Sequence, residues 1–179
     1  MAITLCHISA WEFWCSVRPG NPGFPPVSHA RSRISSLSIS DESMLSEISR
    51  PIHVLVTDPK IRPRSKDFIS HVLTHALPKG YLLNVGNECY IASPELCFVQ
   101  LAEKLPLLEL IQQGYELCGT YCISNNEMYK CVPLTTVKRL KAYSKTAHIR
   151  GSKKACRALQ SILDSSPSPM EPALAMLFS

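Results

Sequence analysis

The chain has no apolar run approaching the roughly 20 residues that a membrane-spanning helix needs. Its N-terminus carries no early positive charge, and His7 and Glu12 interrupt the stretch that a signal peptide would keep apolar. No Walker loop, serine nucleophile elbow or His-Glu-x-x-His pair occurs, so the usual signatures of nucleotide, acyl and zinc-peptidase chemistry are missing. No cysteine sits in a recognisable nucleophile motif, and the six histidines have no spacing that pairs them. Eight cysteines without a secretory signal imply reduced thiols in the cytoplasm rather than a disulfide framework. Acids are absent from residues 138–157.

What is present is enough for one domain, or one and a small appendage: 179 residues, 45% of them apolar, with a net charge of +5. The most legible stretch runs from Gly86 to Tyr121. Ser93 is placed to cap a helix, Pro94 follows at the first helical position, and Glu95 complements the positive end of the helix dipole. Leu96, Cys97, Leu101, Ala102 and Leu105 then recur at helical spacing. Pro106 opens a second helix whose apolar face is Leu107, Leu108, Ile111, Tyr115 and Cys118. Gly114 permits a close approach, and Gly119 marks the end. Two such helices with a tight joint read as a helical hairpin docked on a small sheet.

Elsewhere, Ser9 is a candidate cap for a short helix that buries Trp11, Phe13 or Trp14. Residues 18–50, rich in proline and serine, read as a surface loop or linker, with one short helix from Asp41 to Ile48. Ile52–Val56 and Phe68–Leu73 are strands by composition, and Tyr81–Val85 and Glu88–Ala92 form a hairpin across Gly86-Asn87. After Tyr121 comes a loop with room for a short strand. Thr135 or Thr136 caps a helix carrying Val137, Leu140 and Tyr143. Ser152 opens another, with Ala155, Leu159 and Ile162 inward. The expected fold is α+β: four or five short, mostly antiparallel strands, a helical hairpin and C-terminal helices. The divisions fall at 1–50, 51–150 and 151–179.

Charge gives the clearest candidate site. Lys138, Arg139, Lys141, Lys145, Arg150, Lys153, Lys154 and Arg157 put eight positive charges in an interval without an acid. Such a concentration attracts phosphate, duplex DNA above all, but charge alone supplies no base readout. A solvated face, or a dock for an acidic protein, explains it equally. Tyr143 is the interval's one aromatic, too few for single-strand stacking. Cys118 and Cys122, with Cys131 and with Cys156 or His148 as a fourth ligand, form a weak zinc pattern, since only one pair is short-spaced. No metal or cofactor is expected. His53, His71 and His75, on or beside strands, read as structural histidines.

Ser93-Pro-Glu-Leu-Cys-Phe98 and Gly114-Tyr-Glu-Leu-Cys-Gly-Thr-Tyr121 also resemble proteins of anaerobic actinobacteria related to AbiEi-type antitoxins of abortive-infection systems. The likeness runs from about Pro51 to Phe178. In that family a nuclease domain similar to very-short-patch-repair endonucleases commonly follows. The resemblance implies that Ser168-Pro-Met-Glu171 starts the first nuclease helix, with Glu171 a metal-site candidate only in a complete nuclease that binds Mg²⁺. Only eight residues follow Glu171, and a Mg²⁺ site needs several oxygen ligands. The reading is therefore a DNA-associated, antitoxin-like module that is not an enzyme as it stands, whose partners are duplex DNA and a cognate toxin or nuclease half, with no membrane. The alternatives are a truncated remnant of an endonuclease and a protein-interaction module.

Overall fold

The computed structural model describes residues 3–17, 48–73, 77, 80–86, 89–124 and 127–163. Most of the proposed 18–50 linker, His75, Glu171 and the apolar segment 173–178 lie outside the described residues. The elements in order are β1 (Ile3–Leu5), α1 (His7–Ser16), β2 (Ile52–Val56), a 3₁₀ turn (Pro59–Ile61), β3 (Phe68–Val72), β4 (Leu82–Gly86) and β5 (Cys89–Ala92). They continue with α2 (Pro94–Lys104), α3 (Leu107–Cys118), β6 (Tyr121–Ser124), β7 (Glu127–Lys130), α4 (Val137–Thr146) and α5 (Ser152–Ala158).

The fold is α+β, with a five-stranded sheet in the order β3-β2-β1-β5-β4 and a separate β6-β7 hairpin. The sheet is mixed rather than mostly antiparallel. β1 pairs antiparallel with β2 and parallel with β5, β2 pairs parallel with β3, and β4 pairs antiparallel with β5. The difference has a definite origin. β1 is only three residues long, too short for a period-two pattern to reveal, yet it occupies the centre of the sheet. It aligns Leu5 with both Val54 and Ile91. The 57–67 connection is also a crossover, which returns β3 parallel to β2, and not a hairpin loop.

The helix starts largely follow the sequence signals, but Leu108, expected on the apolar face of α3, is exposed instead. Ser93 Oγ accepts from Leu96 N–H at the start of α2, and Pro106 sits at the N-cap of α3. Thr136, not Thr135, caps α4 by accepting from Arg139 N–H. The Ser9 expectation is corrected. α1 begins at His7, with Cys6 at the N-cap, and the Ser9 hydroxyl instead accepts from His53 N–H. Trp11, Phe13 and Trp14 are all buried, and the Trp14 indole donates to the Ala92 carbonyl at 2.9 Å, which joins α1 to the sheet.

α2 is the centre of the molecule. Every residue from Pro94 to Ala102 is buried, and the helix touches α1, α3, α4, α5 and β5. A helix enclosed on all sides must be apolar nearly all round, and Leu96, Cys97, Phe98, Val99, Leu101 and Ala102 make it so. α5 approaches α2 through Gly151, whose φ of +92° is left-handed. A Cβ there would collide with the Val99 carbonyl and lie 3.0 Å from Glu103 N. Gly151→Ala should therefore destabilise the protein by more than about 2 kcal/mol, from left-handed strain and backbone overlap together. Urea unfolding followed by circular dichroism would measure it, and a loss below about 0.5 kcal/mol would contradict this account of the junction.

Candidate functional site

α4 and α5 present the basic interval, but its eight cations divide into two groups. Lys138, Lys141, Lys145, Arg150, Lys153 and Arg157 are exposed. Lys138, Lys141 and Lys145 share one stripe of α4 by helical spacing, and Lys153 and Arg157 share one of α5. Lys145, Arg150 and Lys153, with His148, line an open groove between the ends of α2, α4 and α5, and Glu103 is its acidic member. Arg150 reaches Glu103 at 3.8 Å, an exposed pair of little energetic consequence.

The other two cations serve the fold. Arg139 Nε lies 3.0 Å from Oε1 of Glu95, whose side chain is 1% exposed, and the same oxygen accepts from Thr135 Oγ1 at 2.7 Å. Lys154 Nζ donates to the Leu105 carbonyl at 2.9 Å, capping the C-terminus of α2, where a cation is favoured. Tyr143, the interval's one aromatic, is 1% exposed and packs on Tyr81 with ring centroids 4.1 Å apart. It is turned inward, and no base can stack on it. The exposed face thus offers charge without aromatic platforms.

The cysteines of the weak zinc pattern do not converge among the described residues. Cys118 is buried on the inner face of α3, Cys131 is buried with its thiol 3.7 Å from the Gly119 carbonyl, and His148 is exposed. The side chain of Cys122 lies outside the described residues.

A different cluster lies at the β1–α1 corner. Ligand-capable atoms of Cys6, His7 and His71 all fall within 4.8 Å of one another. The His7 ring stacks on His71 with centroids 3.8 Å apart, and His53 Nδ1 lies 2.9 Å from His71 Nε2. The β2–β3 register explains the last contact. His53 pairs with Ile69 and Leu55 with His71, so the two histidines are diagonal neighbours on one sheet face. Cys6 N–H donates to the His53 carbonyl at 3.0 Å, and His7 N–H donates to Gln100 Oε1 at 3.1 Å. Burial first, then the neighbouring His71 and His53, push the His7 imidazolium down to about 3. Burial and His53 push His71 down to about 4, and burial also lowers His53. Burial raises the Cys6 thiol. The three rings are therefore neutral near pH 7 and keep lone pairs available. Sequence spacing could not show this group, because its members are 18 to 65 residues apart apart from the adjacent Cys6 and His7. Only the central placement of β1 brings them together.

Comparison with protein-family models, with curated proteins and with solved structures finds no match to this chain. No described helix is long and apolar enough to cross a membrane.

The division of the cations is testable by stability. Arg139→Ala leaves Glu95 without its guanidinium in a buried position and should cost about 2 kcal/mol, discounted from a fully buried pair because Arg139 reaches solvent. Lys138→Ala, one residue earlier and exposed, should cost less than about 0.5 kcal/mol. Equal costs in urea titrations would refute the division.

Proposed function

We propose that the chain is a non-catalytic, DNA-associated module of the antitoxin-like kind, working in the cytoplasm, whose contact face is built from α4, the 147–151 turn and α5. The observation that carries this reading is the cation set. Six exposed cations come from two packed helices and the turn between them, in an interval with no acid. Phosphate is the ligand such a face attracts, and the attraction is largely independent of sequence. The buried Tyr143 favours duplex backbone over unstacked single strands, because single-strand sites combine charge with exposed aromatics. The likeness of residues 93–121 to AbiEi-type antitoxins supports the same class, with a cognate toxin or nuclease half as a second partner.

Fluorescence anisotropy with a labelled duplex of arbitrary sequence tests the reading. If all six cations reach phosphates, log K should fall against log salt with a slope of up to about −5, or about a thousandfold between 50 and 200 mM. Lys145→Glu, Arg150→Glu and Lys153→Glu together should abolish binding at moderate salt. Arg139 and Lys154 are left intact because they hold the fold. Salt-independent binding, or none at low salt, would refute the proposal.

A plasmid-nicking assay addresses catalysis. Among the described residues, no group of three carboxylates comes close enough to hold a Mg²⁺ ion. The expected outcome is intact supercoiled plasmid in Mg²⁺ or Mn²⁺. Metal-dependent nicking that disappears in Glu171→Ala would establish a nuclease site instead.

A further inference from the structure

We propose that Cys6, His7 and His71 form a binding site for a divalent, borderline-soft transition metal, zinc in the first instance, which clamps the β1–α1 corner to the edge strand β3. The donor atoms come from two pieces of backbone, the adjacent Cys6 and His7 at the β1–α1 corner and His71 on β3, and already lie within 4.8 Å of one another. A tetrahedral zinc with ligands at about 2.0–2.3 Å has edges of about 3.3–3.8 Å, so a contraction of about an ångström closes the site. One thiol and two imidazoles suit zinc, whereas a group with no carboxylate does not suit magnesium or calcium.

Two further observations point to a ligand at this place. His7 Nδ1 is buried and has no hydrogen-bond partner among the described residues. A buried polar atom of this kind normally finds a partner, and a metal supplies one. His7 also has a φ of +50°, a left-handed conformation that residues other than glycine seldom adopt. The Gln100 side chain and the His53 carbonyl hold the backbone there. Held strain of this sort is common where a side chain must be aimed. A stack of three imidazoles as mere filling explains neither the orphaned nitrogen nor Cys6 at its side.

His53 is a positioning residue. Its Nδ1 contact fixes the His71 ring, the role that outer partners of metal-bound histidines usually play. Metal uptake displaces the Cys6 thiol proton to solvent and forms the thiolate–metal bond, while the neutral imidazoles bind without losing a proton. The clamp would tie β1, the strand at the centre of the sheet, to β3 at its edge.

The test is a cobalt titration of the full, metal-stripped chain, followed by displacement with zinc. The expected result is one saturable equivalent, with a thiolate-to-cobalt charge-transfer band in the near ultraviolet. Cys6→Ser should lose that band. His71→Ala, a half-buried edge-strand change that leaves the core intact, should weaken affinity by at least about a hundredfold. His53→Ala should weaken it by about 10- to 100-fold. Cys15→Ser, at an exposed thiol of α1, should bind as the parent chain does. Zinc should raise the thermal midpoint of the parent chain but not of His71→Ala. Failure of the parent chain to take up one equivalent would overturn the proposal. So would cobalt binding by Cys6→Ser and His71→Ala equal to that of the parent chain.

Discussion

The structure depends on enclosing α2. Nine consecutive residues of this helix are removed from water, and two of them, Glu95 and Gln100, are polar. An enclosed carboxylate without partners is too costly to persist, so the fold must bring donors to it. Thr135 and Arg139 do this for Glu95, which fixes the loop before α4 and the first turn of α4 against the start of α2. Gln100 accepts from His7 N–H, which fixes the beginning of α1. Lys154 meets the carbonyl at the C-terminus of α2 and draws in α5. Each of these three contacts thus orients one surrounding element, and the apolar side chains between them supply the cohesion.

This requirement shapes the surface as well as the core. The basic interval holds more cations than its face displays, because enclosing α2 recruits Arg139 and Lys154. The six that remain are exposed, five of them by their spacing on α4 and α5 and Arg150 by its place in the turn between them. Sequence charge counts treat all eight alike, yet the structure separates them by what lies beneath. The sheet makes a comparable division among the histidines. His53 and His71 stand on one face because the β2–β3 pairing is parallel and in register, and the corner after β1 then delivers His7 and Cys6 to them.

Much of the helical architecture was legible in the sequence, since caps and breakers act locally. Ser93-Pro94-Glu95, Pro106 and Thr136 each mark a helix start through a hydrogen bond, a charge or a backbone restriction within four residues, whereas Gly119 ends α3 in ordinary extended backbone. Strands β2, β3, β4 and β5 were legible from β-branched content and the turn at Gly86. The central strand was not. Three residues, Ile3–Leu5, carry no readable period, and their place is decided by partners 49 and 86 residues away. The Cys–His cluster was hidden for the same reason. Its residues meet only once β1 lies between β2 and β5. Ser9 misled because a hydroxyl near a helix start has two uses, capping or cross-linking, and the His53 N–H claimed it.

α2 also determines how the two candidate sites relate. Its first turn is bound to α4 through Glu95, its middle to the Cys–His corner through Gln100, and its C-cap, Leu105, to α5 through Lys154. Coupling between distant sites needs an element with two discrete arrangements that both ligands bias differently. An enclosed helix tied to its neighbours at three points is poorly suited to that role, since any shift would break a buried hydrogen bond or ion pair. On this architecture a metal at the β1–α1 corner acts on stability by holding the sheet. A phosphate bound along α4 and α5 meets a face whose geometry α2 has already set.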